Sequence, residues 1–395
     1  MNQPQRIFIT GYGSVNCLGA DTLSERMAAP AAGEPAQRPG SHPIAAIEFG
    51  EYDDPRVTRR MDRFTQMAYL AVRKALARAG VDMAALPADR VGMIMNTCYG
   101  PLDSTRRYIS KLIVGGPKKV PAAVFPNTVH NAFTGLITME IAAHGTNSTV
   151  SGQNPICYGL DMIRQGFDDL LIVGGCDELI STLESGFTAA GLDCAADAGG
   201  GPGIYDRDRN VFALGEGAAV LVIESEASMR ARGAQPLAEV LDYGMANGLQ
   251  GEAANAFPAD AGTIAHVMRQ ALARSGVAPE QVGLVSGAGN GLTRLAQAEM
   301  DALGTLFGGA GAPLVSNVKS VLGETLGAAA VFSAIFALEC LEQGSVAPMP
   351  GLVEGCLPGR YVAATARAAE LDVALVNAVE LGGTITSLAL RKAVI

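Results

Sequence analysis

Seven cysteines and four histidines are the side chains of this 395-residue sequence best suited to nucleophilic or acid–base work. Cys157 stands out, in "SGQNPICYG" (151–159), between strand-like "HGTNSTVS" and the amphipathic run "ICYGLDMIRQG". That placement puts its thiol near a helix N-terminus, where the dipole favours the attacking thiolate. A cysteine nucleophile commonly draws on a histidine, yet the chain offers only His42, His130, His144 and His266. A second reading starts from Asn154 and Pro155. Asparagine is a preferred N-cap and proline suits the first helical turn. Cys157 then lies inside the helix, where a cysteine behaves as a small core residue. Both readings stay open at this stage. The odd cysteine count and the lack of C-x-x-C pairs point to reduced thiols in a cytoplasm, with neither a disulfide frame nor a zinc site.

The elements that must position these residues are legible from periodicity. Apolar runs recur as "RIFITGYG", "VGMIMNTC", "DLLIVGG", "AAVLVIES", "VGLVSGAG" and "ALVNAVELGG", several of them continuous, as in strands buried on both faces. Helical patterns lie between them, at 63–80 and 261–276, each closed by glycine. A similar helix–loop–strand phrase follows in each half, which predicts an internal duplication with halves 1–236 and 237–395. The Pro/Gly/Ala-rich stretches 29–43 and 195–203 read as surface loops, and the second has no strand–turn–helix frame for a phosphate. A formal charge of −10 argues against a nucleic-acid partner and an anionic membrane surface. No run of eighteen apolar residues occurs, so neither a membrane span nor a signal peptide is expected.

Seven ordered phrases carry a resemblance. They are "ITGYGSVNCLG", "RRMDRFTQMA", "FPNTVHNAFTGLITMEIAAHGTNS", "LLIVGGCDE", "YDRDRNVFALGEGAAVLVIE", "VKSVLGETLGAAA" and "ELGGTITSLAL". Together the chain resembles the β-ketoacyl-acyl-carrier-protein synthases over almost its whole length. The resemblance implies a thiolase-like α/β fold, two duplicated halves forming five layers, αβαβα. Active members hold the acyl chain on a cysteine at a helix N-terminus and use two histidines on the malonyl thioester. Here the first histidine position falls on Ala288, eleven residues before the retained Glu299, and the second falls on Glu324, five after the retained Lys319. Glu324 is read as an acid in the first turn of a helix that pairs with Lys319. Counting forward from "FPNTVHNAFTG" puts Asn154 at the nucleophile position; counting back from "QGFDDLLIVGG" puts Thr149 there.

These losses resemble those of a chain length factor, the degenerate subunit that pairs with an active ketosynthase in type II polyketide and aryl-polyene systems. The resemblance then implies a heterodimer with an active Cys–His–His subunit, service by an acyl carrier protein bearing acyl or malonyl chains, and no cofactor or metal. Acyl-tunnel and interface candidates are Tyr99, Val124, Phe125, His130 and Leu381, the last replacing an aromatic gate. Arg59, Arg60 and Arg209 match stretches near the carrier-docking face. The alternative is an acyltransferase or thioesterase-like enzyme that uses Cys157 without the histidines.

Overall fold

The computed structural model describes residues 5–29, 41–52, 54–192, 203–248, 257–308, 311–352, 357, 360–363 and 365–393. Most of the two predicted loops at 29–43 and 195–203 lies outside the described residues. In chain order the first half holds β1 (Ile7–Asn16), α1 (Leu23–Ala28), α2 (Pro55–Thr58), α3 (Arg63–Arg78), β2 (Val91–Asn96) and α4 (Leu102–Gly115). It continues with α5 (Ala132–Ile141), β3 (Asn147–Val150), α6 (Pro155–Arg164), β4 (Leu170–Asp177), α7 (Ser181–Ala189), β5 (Gly217–Ser225) and α8 (Glu226–Ala231). The second half holds β6 (Ala238–Asn247), α9 (Ala261–Ser275), β7 (Val282–Ser286), α10 (Thr293–Leu306), β8 (Leu314–Ser316), α11 (Lys319–Leu322) and α12 (Ala329–Gln343). A two-residue pair, β9 (Ser345–Val346) with β10 (Arg367–Ala368), precedes β11 (Val373–Val379) and β12 (Thr384–Lys392).

The duplication read from the sequence is visible in the strand order β3-β2-β4-β5-β1-β6-β12-β11-β7-β8. Leaving out the β9–β10 pair, each half runs third, second, fourth, fifth, first, with the last two pairings antiparallel and the others parallel. The halves join edge to edge where Ile7–Ile9 of β1 pairs with 238–240 of β6. Helices α3 and α9, each after the first strand of its half, start alike. Asp62 caps the Thr65 N–H and Asp260 caps the Thr263 N–H. Both end near a glycine in the left-handed region, Gly80 at φ 60° and Gly276 at φ 64°.

The continuous apolar strands are continuous because both faces are covered. On β5, Ala219, Leu221 and Ile223 point to the central core, while Ala218, Val220 and Val222 point to an outer one under α3 and α5. On β11, Ala374 and Val376 share the central core, and Val373 and Leu375 face the outer core under α9 and α10. Helices α6 and α12 fill the centre: α12 packs on β4 and β5 of one half and on β7, β11 and β12 of the other. The result is five layers, a thiolase-like αβαβα fold. Thirteen consecutive residues of α12, Ala329 to Leu341, are buried. Leu326–Gln343 is the one helical stretch among the described residues long and apolar enough to cross a membrane, and it is this core helix.

Candidate degenerate active site

The N-terminus of α6 opens the site. Asn154 is buried and caps the helix, its side-chain oxygen accepting from the Ile156 N–H at 3.1 Å. Its amide nitrogen donates to Thr386 Oγ1 on β12 at 3.2 Å, so the cap also ties the two halves together. Thr149 instead lies on β3, its hydroxyl 2.9 Å from that of Thr134. Of the two countings, only Asn154 sits at the helix mouth. Cys157 is in the first turn but fully buried among the residues of the central core. Burial, then Asp161 and Asp242, pushes its thiol well above the ordinary range. A thiol so held has neither the access nor the charge for attack on a thioester.

Across the site, the loop after β7 and the segment between α11 and α12 bring the second set together. Lys319 Nζ lies 2.8 Å from Glu324 Oε2, with side chains 4% and 1% exposed. The ammonium also donates to the Ala288 carbonyl at 3.3 Å. Asn290 Nδ2 donates to Glu324 Oε2 at 3.2 Å, and the Leu326 N–H donates to Oε1 at 3.0 Å. This corrects one expectation. Glu324 does pair with Lys319, but it is not in a first helical turn. It lies between α11, which ends before Gly323 at φ 69°, and the short 3-10 turn Leu326–Ala328. Glu299 is fully buried and holds the loop at Ala288. Its carboxylate accepts from the Ala288 and Gly289 N–H groups, Tyr205 Oη and Asn377 Nδ2 at 2.8–3.0 Å.

The structure adds residues that the sequence reading passed over. Asp177, at the end of β4, accepts from Thr97 Oγ1 and the N–H groups of Cys98, Tyr99 and Gly327 at 2.8–3.0 Å. One carboxylate thereby clamps the loop after β2 to the approach of α12. An acid ending an otherwise apolar strand was the signal for it. Cys98, half-buried, borders the same space; burial, then Asp177, Glu380 and Glu324, raises its thiol above the ordinary range. Tyr99 is half-buried and packs edge-on against Phe187, with ring centres 6.3 Å apart, and Phe187 stacks on Phe212 at 5.7 Å. Leu381 is half-buried beside the same cluster, next to buried Glu380. Among the described residues no three His, Cys, Asp or Glu side chains converge to hold a metal ion.

The remaining candidates lie outside this centre. His130 is exposed and lines an open groove of about 730 Å³ along β3, with Thr134, Thr149 and Tyr158. Phe125 is exposed against Tyr108. Val124 lines a smaller cleft of about 260 Å³ that gathers Arg59, Arg60, Arg107 and Lys111. Arg209 is bound to Asp206 at 2.9 Å.

The chain matches the "Beta-ketoacyl synthase, N-terminal domain" family over residues 49–228 and the "Beta-ketoacyl synthase, C-terminal domain" family over 237–352. It is 30% identical to 3-oxoacyl-[acyl-carrier-protein] synthase 2 of Vibrio cholerae over 364 residues, 88% of this chain and 87% of that one. Among solved structures it is similar to a β-ketoacyl synthase from Burkholderia phymatum, with a TM-score of 0.86, 25% identity and coverage of 99% and 100% of the two chains. It is also similar to the ishigamide ketosynthase/chain length factor, with a TM-score of 0.83, 25% identity and the same coverage. This chain belongs to the β-ketoacyl synthase family.

Proposed function

We propose that the chain is a chain length factor, a non-catalytic subunit that pairs with an active ketosynthase and shapes its acyl tunnel in carrier-protein-dependent chain elongation. The observation that carries this reading is the buried Lys319–Glu324 ion pair beside Ala288, in a chain whose α6 N-terminus is capped by Asn154. An imidazole donates to a thioester carbonyl and a thiolate attacks it; a methyl group and an amide do neither. A carboxylate at Glu324 also repels the carboxylate of a malonyl group. In the alternative enzyme the nucleophile is Cys157, and its complete burial counts against that role.

The surface supports a partner. Nine large apolar side chains are exposed among the described residues, and all nine fall between Ile109 and Phe167. That segment comprises α4, α5, β3 and α6, and β3 is an edge strand paired only with β2. Concentrated apolar exposure beside an unpaired strand edge marks an association surface. The cleft of Arg59, Arg60, Arg107 and Lys111 supplies positive charge, on a chain of net −10, that suits an acidic carrier.

Co-expression with an intact Cys–His–His ketosynthase is expected to yield a stable 1:1 complex. Intact-mass measurement after exposure to an acyl thioester should place the adduct on the partner and none on this chain. A self-sufficient homodimer, or an adduct on Cys157, overturns the reading. Within such a complex, Tyr99→Ala removes the ring from the loop that Asp177 clamps. It is expected to lengthen the product by two or more carbons, because a tunnel wall measures length sterically. Unchanged product length in mass spectra leaves Tyr99 out of the wall.

A further inference from the structure

Glu380 follows β11 and begins the turn to β12. Its side chain is 3% exposed, and its Oε1 has no hydrogen-bond partner. The titratable groups facing it are Glu324 before α12, Lys319 on α11, Asp177 at the end of β4, and the thiols of Cys98 and Cys157. Each charged neighbour is already engaged. Asp177 is saturated by four donors, and Lys319 is bound to Glu324 and to the Ala288 carbonyl. Of the three carboxyl groups only Glu324 touches the ammonium, Asp177 is held by neutral donors, and Glu380 has no donor of its own beyond the neighbouring Asn96 amide. A buried site does not hold that unbalanced charge, so this carboxyl keeps its proton.

The turn that carries Glu380 holds two successive glycines in conformations other residues rarely adopt. Its backbone closes by Gly383 N–H to the Glu380 carbonyl at 3.2 Å and Glu380 N–H to Thr384 at 2.8 Å. Between them Gly382 is solvent-exposed at φ 102° and Gly383 lies at φ 114°, conformations that glycine adopts freely. The turn abuts the loop ahead of α6. A Cβ at Gly152 would lie 2.9 Å from the Leu381 carbonyl oxygen.

We propose that neutral Glu380 is a proton-dependent latch: protonated, it holds the 380–383 turn closed over the degenerate centre, and its ionisation swings that turn outward about Gly382. Burial, then the charge of Glu324, pushes this carboxyl up to about 8, against an opposing pull from Lys319. The folded state therefore keeps a proton that the unfolded chain releases near 4.5. Stability falls as pH rises from that value through about 8 and levels off above it. The latch stands on the isolated chain's own geometry, so failure to find a partner subunit leaves it untouched.

The chain has no tryptophan, so Leu381→Trp gives a single indole reporter on the turn. Its emission titrated between about pH 6 and 10 is expected to show one transition near 8, absent in Leu381→Trp/Glu380→Gln, whose amide cannot ionise. The unsubstituted chain provides the control against disturbance by tryptophan. Hydrogen exchange of amides 380–384, corrected for intrinsic rates, should lose protection at least tenfold at high pH, and Glu380→Gln should not. A transition that survives Glu380→Gln, or unchanged protection in the unsubstituted chain, overturns the latch.

Discussion

Lys319→Met is expected to destabilise the protein by about 3–5 kcal/mol, because it strands Glu324 as a buried charge. The loss is of one partner and not of the pair. With the ammonium gone, Glu324 keeps only Asn290 Nδ2 at 3.2 Å and the Leu326 N–H at 3.0 Å. Two neutral donors do not replace a cation at 2.8 Å inside a core where the carboxylate is 1% exposed. The companion variant Lys319→Met/Glu324→Leu removes both charges together. It is expected to recover most of the loss, since replacing a buried pair by packed apolar groups is often neutral or stabilising. Denaturant unfolding of the two singles and the double gives the coupling directly. A single variant within about 1 kcal/mol of the parent is incompatible with a buried ion pair at this place.

Met139→Glu, alone or with Phe125→Asp, is expected to weaken the proposed complex with an active ketosynthase on the order of 100-fold while leaving the fold intact. Met139 is 76% exposed on α5 and Phe125 is 56% exposed between α4 and α5, so neither change costs the isolated chain core packing. Buried in an interface, each new carboxylate loses its water without gaining a partner. Titration by surface plasmon resonance, with circular dichroism as the check on folding, separates the two effects. Undiminished affinity would move the interface away from the face that carries β3. Phe167→Asp, at 56% exposure the far end of the same run of sequence, maps how far that interface extends.

Much of the fold was written locally. The continuous apolar strands, the Asp62 and Asp260 caps, the glycine stops and the repeated helix–loop–strand phrase each depend on residues a few positions apart. Asn154 as an N-cap followed by Pro155 is of the same kind, and it was legible because a cap is a contact with the next two residues. The absence of histidine after His266 was equally plain, since an element missing from the sequence cannot be supplied by folding.

Tertiary structure decided what those local signals could not reach. Glu324 looked like a helix-start acid because it precedes an apolar helix by a few residues; Gly323 and the 3-10 turn place it instead in the core, facing Lys319. Cys157 changed from a possible nucleophile to a packed thiol because α6 packs on β2, β4, β5 and β6 and leaves the thiol inside the central core. Asp177 meets the Gly327 N–H across 150 residues of chain, and Asn154 meets Thr386 across 232. Pairing over such separations is set by how the two halves pack around α6 and α12, and no window of neighbouring residues encodes it. The sequence by itself determined that no histidine follows His266 and which elements surround Ala288 and Glu324. Only the packed structure decided what lies around them: a closed ion pair, a saturated aspartate and one buried carboxyl with an unpartnered oxygen.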